Sequence, residues 1–232
     1  MDCQSLTSPA VVASAAAAHI ASCAMQAIDE RGHFTLALSG GSTPWLMLNH
    51  LVRLDLPWDR FHIVQVDERV APDGDAERNL THIQAQFTSR VAIPPGQVYA
   101  MPVLEENLDA AADSYMHTLR GLAGTPAIID LVHLGLGGDG HTASLFPGNP
   151  MLDSLARDVD IARVAQQRIR MTLTYPVINR ARNILWLICG ADKADMLQRL
   201  LAQDQSIPAG RVSQDQATIF TDIPLLTTAF YC

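Results

Sequence analysis

Cysteine, positive charge and long apolar runs are all scarce in this chain, and each shortage removes a class of protein. The 4 cysteines, Cys3, Cys23, Cys189 and Cys232, are scattered and form no Cys-x-x-Cys pair. Neither a disulfide framework nor a thiolate metal knuckle is expected of them, and reduced thiols are the simplest reading. With 16 Lys and Arg against 24 Asp and Glu, the net charge of −8 leaves too few cations for a broad nucleic-acid surface, although a few local ones suffice for a small anion. No stretch reaches the ~18 uninterrupted apolar residues of a membrane span. An export signal is also missing its basic start: Asp2 stands there, and the Ala-rich run 10–24 is broken by His19 and polar residues. No two histidines have the spacing of metal ligands on one helix face, so no catalytic metal is expected. The expectation is a soluble cytoplasmic protein, a monomer or homodimer, with a small-molecule ligand and no nucleic-acid or membrane partner.

What the chain does have is apolar residues in short runs. At 232 residues, 48% hydrophobic and with a mean hydropathy of +0.11, it can bury a substantial core, and one domain over 1–232 is expected. Ser8-Pro9 reads as an N-cap and first helical position, opening an Ala-rich helix that runs to Glu30 and stops at Gly32. Phe34–Leu38 is a short apolar run of the kind a buried parallel strand shows, followed by a helix over 44–54. The alternation repeats, with strands at Phe61–Val66, Ile128–Leu134, Arg170–Thr174, Ile184–Cys189 and Ala217–Phe220. Helices fit 79–87, 107–122, 176–181 and 191–201, with a turn after Asp222. Strands alternating with helices predict an α/β fold, a mostly parallel, Rossmann-like sheet with helices on both faces that binds ligands at the carboxyl ends of its strands.

Three polar loops fall at those ends. The first, Ser39-Gly40-Gly41-Ser42-Thr43-Pro44, joins a strand to a helix. Its glycines let backbone approach an anion, its hydroxyls can donate, and a helix N-terminus attracts negative charge. An ordinary capped turn is the alternative, and the missing Gly-Lys-Ser/Thr rules out a nucleotide P-loop. The second places Asp67, Glu68 and Arg69 directly after a strand. The third holds Gly135, Gly137 and Gly140 in Gly-x-Gly-x-x-Gly spacing, but Pro147, Gly148 and Pro150 interrupt the helix a dinucleotide fingerprint needs. The third loop's Asp139-Gly140-His141 is more telling, since a carboxylate and an imidazole share one tight turn, and histidine is the usual general base near neutral pH. The remaining histidines have no such company, and His62 and His133 lie inside strand runs. Arg170 at a strand start and Lys193 after Cys189-Gly190 are further cations able to close on a phosphate.

Together these segments resemble the 6-phosphogluconolactonase family, within the larger group that includes glucosamine-6-phosphate deaminases. The matching pieces are Leu38 to Pro44, Val66 to Arg69 with Asn79 beyond, Leu134 to Pro147, Arg170 to Thr174 and Gly190 to Ala194, in family order across most of the chain. Deaminases carry a glutamate just before the proline that ends the third motif, and here that place is Phe146. Gly138 is a mild departure, since many relatives have another small residue or proline.

The resemblance implies hydrolysis of 6-phospho-D-glucono-1,5-lactone in the oxidative pentose phosphate pathway, without a cofactor. The cradle Ser39, Gly40, Gly41, Ser42 and Thr43, helped by Arg170 and Lys193, would then hold the phosphate, and His141 would activate water. Asp67 is the first choice to orient the imidazole, with Asp139 shaping the turn. Arg69 and the N–H groups of Gly137 and Gly138 would face the oxyanion. The alternatives are a sugar-phosphate deaminase or isomerase, distinguished by ammonia release, and a non-enzymatic sugar-phosphate sensor.

Overall fold

The computed structural model describes residues 1–153, 155–164 and 167–225. In chain order its regular elements are β1 (Asp2–Ser5), α1 (Pro9–Arg31), β2 (Phe34–Leu38), α2 (Ser42–Leu51), β3 (Phe61–Gln65), β4 (Asp67–Arg69), α3 (Asn79–Gln86) and β5 (Val98–Tyr99). There follow α4 (Leu108–Ala123), β6 (Leu131–Leu134), β7 (Val159–Ala162), β8 (Arg170–Leu173), α5 (Tyr175–Asn179), β9 (Ile184–Ile188), α6 (Ala194–Leu201) and β10 (Ala217–Thr221).

α1 begins where capping chemistry places it. The Ser8 side chain accepts the N–H of Val11, Pro9 takes the first turn, and Gly32, at φ 80°, stops the helix while its N–H bonds to the carbonyl of Ile28. α1 is long and apolar enough to cross a membrane by length and composition. Its stripe of Val12, Ala13, Ala16, Ala17, Ile20, Ala24 and Ala27 is instead buried in the protein, the small alanines letting the helix lie close to its neighbours.

Seven strands form one parallel sheet in the order β1-β10-β9-β6-β2-β3-β5. Alternation along each strand feeds two apolar layers. Phe34, Leu36 and Leu38 of β2 and Leu185 and Leu187 of β9 pack with α1, α2 and α3. Ala37 of β2 and Ile184, Trp186 and Ile188 of β9 pack with α4, α5 and α6. Helices therefore cover both faces, which is why the central strands read as continuous hydrophobic runs.

The strand at Arg170 is the main correction. It exists, but not in the parallel sheet: β4, β8 and β7 make a separate antiparallel sheet of three strands in the order β4-β8-β7. β4 is polar, and β7 has 4 residues with an aspartate inside, so no hydrophobic run announces them; the edge strands β1, which is polar, and β5, with 2 residues, give no such run either. The helix expected over 191–201 opens as a turn of 3-10 helix at Ala191–Lys193 before α6 begins. The turn after Asp222 is described only to Leu225, and Cys232 lies outside the described residues.

Gly32→Ala tests the stop signal of α1. A Cβ there meets nothing within 4 Å, so the cost is purely that of a left-handed residue, about 1–2 kcal/mol. Urea unfolding should show that loss, and an unchanged midpoint would rule it out.

Candidate active site

The carboxyl ends of β2, β3 and β6 deliver the three loops to one rim. The small sheet completes it, because β4 leaves directly from β3 and pairs with β8. In that register Asp67 lies opposite Thr172 and Arg69 opposite Arg170. Like charges facing each other across a strand pair are unfavourable, so these two arginines form a place prepared for an anion. Burial pushes the Arg170 guanidinium below its ordinary value, Asp67 and Glu77 oppose that, and Arg69 adds to it.

Two cavities open between the loops. The inner one, about 180 Å³, is bounded by Ser39, Gly40 and Gly41 on one side and Gly135 to Gly137 on another, with Asp67, Arg69, Asn79, His141, Ala143 and Arg170. The outer one, about 680 Å³, is lined among others by Asp139, Phe146, Glu77 and Arg168. His141, Arg69 and Arg170 line both, so the imidazole stands where they meet.

Charge triplet 67–69 divides its work. Glu68 is wholly buried and accepts the N–H groups of Arg69 (2.8 Å), Asn79 (2.8 Å) and Leu80 (2.9 Å) and the amide of Gln65 (2.8 Å), with Arg78 beside it at 3.4 Å. It is an anchor: a carboxylate at the start of α3, where the helix dipole favours negative charge. Arg69 donates to the Asn79 side chain at 2.6 Å and to the Glu77 carbonyl at 3.0 Å. Asn79 in turn donates to the Asp67 carbonyl at 2.9 Å and presses its Oδ1 to within 2.0 Å of where a Cβ on Gly40 would stand. Only glycine fits at position 40.

Asp67 does not orient the imidazole. Its carboxylate accepts from the Ser144 hydroxyl at 2.7 Å and from Asn79 at 3.2 Å, with Arg170 at 3.8 Å. Asp139 takes that place: its Oδ1 lies 2.5 Å from His141 Nδ1 and accepts the His141 backbone N–H at 3.0 Å. The reason is local, because a carboxylate two residues before the histidine in a glycine turn reaches both groups without help from another loop. Burial would raise the Asp139 carboxyl, but the N–H and ring of His141 outweigh it and hold the group below its ordinary value. Gly137 forms the floor of the pair, since a Cβ there would lie 2.1 Å from His141 Nδ1 and 2.7 Å from Asp139 Oδ1. The Gly137 N–H is spent on the His141 carbonyl at 2.8 Å, so it is not free for an oxyanion. Phe146 supports the ring from the side, with centroids 4.7 Å apart, and carries Arg170 over its own face at 5.1 Å.

The loop 39–44 has the features that suit an anion. α2 opens at Gly41 with no side-chain cap, leaving its first N–H groups unclaimed by the loop's hydroxyls. Ser42, Thr43, Gly138 and Lys193 line neither cavity. Ser42 is exposed, the Thr43 side chain lies against Cys189, and Lys193, the chain's single lysine, has its Nζ 3.5 Å from where a Cβ on Gly138 would be.

From residue 7 to 221 the chain matches the profile of the glucosamine-6-phosphate isomerases/6-phosphogluconolactonase family. It belongs to that family. A 6-phosphogluconolactonase of Synechocystis sp. is 37% identical over 191 residues, covering 79% of each chain. A chloroplastic 6-phosphogluconolactonase of Arabidopsis thaliana is 36% identical over 220 residues, covering 84% of this chain and 65% of that one. Among solved structures, a 6-phosphogluconolactonase of Thermotoga maritima superposes with a TM-score of 0.84 at 26% identity, covering 95% of this chain and 98% of the other. A monomeric glucosamine-6-phosphate deaminase reaches a TM-score of 0.82 at 20% identity, with coverage of 95% and 97%, which shows the shared fold alone.

In the sequence, Ser144 and Glu68 stand within the motifs with no role in the site, and Phe146 has none beyond distinguishing the deaminase branch. Their signal was position, for each lies within five residues of a named site residue, but only the folded contacts reveal what each touches. Arg168 and Glu77 had no signal, lying outside every motif.

Two outcomes are expected. Gly137→Ala should fold yet lose about 10²-fold or more in kcat/KM, since displacing a reacting group by ~1 Å costs that much; wild-type turnover would show that the loop tolerates a Cβ. The Asp139 carboxyl, depressed by its partners, should titrate below 3.8 by carbon NMR, so its pairing holds above the ordinary carboxylate range and is lost only as pH falls through the lowered value. A midpoint above 3.8 would contradict the pairing.

Proposed function

We propose that this enzyme hydrolyses 6-phospho-D-glucono-1,5-lactone to 6-phospho-D-gluconate, the second step of the oxidative pentose phosphate pathway. The names of its relatives support the reaction. The observation that carries the mechanism is the His141–Asp139 pair at the junction of two cavities that share two facing arginines.

With Nδ1 turned to Asp139, His141 keeps its Nε2 lone pair for water. As water attacks the lactone carbonyl, Nε2 takes its proton and the carboxylate of Asp139 steadies the imidazolium that results. The tetrahedral oxyanion collapses, the bond from the carbonyl carbon to the ring oxygen breaks, and Nε2 returns the proton to that oxygen as it leaves. Arg69 and Arg170, which line both cavities, meet the developing negative charge in this mechanism, whereas Gly138 lines neither. The phosphate belongs in the inner cavity against Gly40, Gly41 and the start of α2, with Arg170 opposite. Asp67, tied to Ser144 and Asn79, holds Arg170 and the second loop in position. Phe146 separates this site from a deaminase: an aromatic ring packed on the imidazole supplies no extra proton carrier for ring opening.

His141→Ala should lower kcat/KM by roughly 10²–10⁴ above the spontaneous rate, and Asp139→Asn should reduce kcat more than Asp67→Asn does. A folded His141→Ala protein with wild-type turnover would remove the general base from the mechanism. Glucono-1,5-lactone, lacking the phosphate, should be poorer by ~10³ or more in kcat/KM, because charge-assisted contacts are each worth about 1.5–3 kcal/mol and at least two are lost. Comparable rates on both lactones, measured against a no-enzyme blank, would overturn the phosphate assignment.

A further inference from the structure

His133 is a core histidine with one unusual contact. It lies in the middle of the parallel sheet, wholly buried, and alternation along β6 turns it to the same face as Leu131, the face covered by α1, α2 and α3. The buried apolar residues of that layer are leucine, isoleucine, alanine and phenylalanine with Val12 and Met47, and an aliphatic residue among them would leave no polar atom stranded. The imidazole does strand one: Nε2 is buried and has no partner among the described residues. Its other nitrogen is used. Nδ1 accepts the backbone N–H of Ser39 at 3.4 Å.

Ser39 is where the phosphate loop leaves the sheet. The ladder of β2 ends at Leu38, whose carbonyl takes the N–H of Val66 at 2.9 Å, and Ser39 follows while still only 7% exposed. A buried N–H at that point needs an acceptor. Burial pushes the imidazole down to about 4, so near neutral pH His133 is uncharged and offers a lone pair rather than a cation.

We propose that His133 is a positioning residue for the phosphate loop: by holding the Ser39 N–H inward it fixes the first peptide of the loop, so that Gly40, Gly41 and the uncapped start of α2 face the inner cavity ready for a phosphate. The proposal rests on reading that loop as the phosphate holder. It places a determinant of phosphate affinity beneath the loop, in a residue that lines neither cavity.

The test compares wild type, His133→Leu and His133→Asn on 6-phosphogluconolactone and on plain glucono-1,5-lactone, with 6-phosphogluconate as an inhibitor and thermal melts as the folding control. In folded His133→Leu, KM for the phosphorylated lactone and the inhibition constant of 6-phosphogluconate should each rise about five- to tenfold, the scale of one neutral hydrogen bond, with the plain lactone unaffected. His133→Asn, whose Oδ1 can stand in for Nδ1, should recover most of the loss. Wild-type KM in folded His133→Leu, or equal losses on both lactones, would overturn the proposal. Nitrogen NMR of the wild type decides it if His133→Leu does not fold: Nε2 should carry the proton and Nδ1 should not, and the opposite tautomer is incompatible with it. A wild type that does not prefer the phosphorylated lactone would instead sink the phosphate-loop reading and this proposal with it, an outcome distinct from a wild-type preference that survives in His133→Leu.

Discussion

The pairing of Asp67–Arg69 with Arg170–Thr172 holds the rest of the site in place. It sets two guanidinium groups opposite each other on adjacent strands, an arrangement that like-charge repulsion would open if nothing restrained it. Buried carboxylates provide the restraint. Glu68 gathers four N–H donors and locks the second loop to the start of α3, and Asp67 faces Arg170 while accepting from Ser144 of the third loop. With those anchors in place, the arginines keep positive potential aimed into a partly desolvated cleft, where it acts on an anionic substrate more strongly than in open water. The same commitment explains why Asp67 is unavailable to the His141 imidazole.

His141 depends on a smaller and more local structure. Its partner Asp139 is two residues away, Gly137 leaves just enough room beneath both, and Phe146 limits how far the ring can tilt. Such a turn keeps its geometry without relying on distant loops, which suits a group whose contribution depends on tenths of an ångström. Phe146 also joins the local structure to the long-range one, because Arg170 lies on its ring. Repacking at that position would therefore disturb His141 and Arg170 together.

The fold itself does not choose the reaction. A deaminase shares the fold at a TM-score of 0.82. In the proposed reaction the choice falls to the surroundings of the imidazole, where Phe146 packs on His141: one activated water is enough to open a lactone, whereas moving protons between sugar carbons needs more than one titrating group.

Much of this was legible in the linear chain wherever a few neighbouring residues decide the outcome. Ser8, Pro9 and Gly32 bounded α1, short apolar runs marked the central parallel strands, and the glycine loops with Asp139 and His141 announced the site. What the sequence could not decide was which polar group meets which. Arg170 read as one more strand of the parallel sheet, yet it pairs antiparallel with β4, and that pairing crosses about a hundred residues with no periodicity to signal it. Asp67 is the first choice by sequence to orient the imidazole, yet Asp139 takes that place, and only the folded distances decide between them. His133 reads as one more histidine inside a strand run, but it is wholly buried and its bond to Ser39 spans 94 positions. Local backbone preference and apolar burial are properties of short segments and are written in order along the chain. Hydrogen bonds and charge pairs are short-ranged in space and indifferent to sequence separation, so they are settled only when the sheet brings distant loops to one rim.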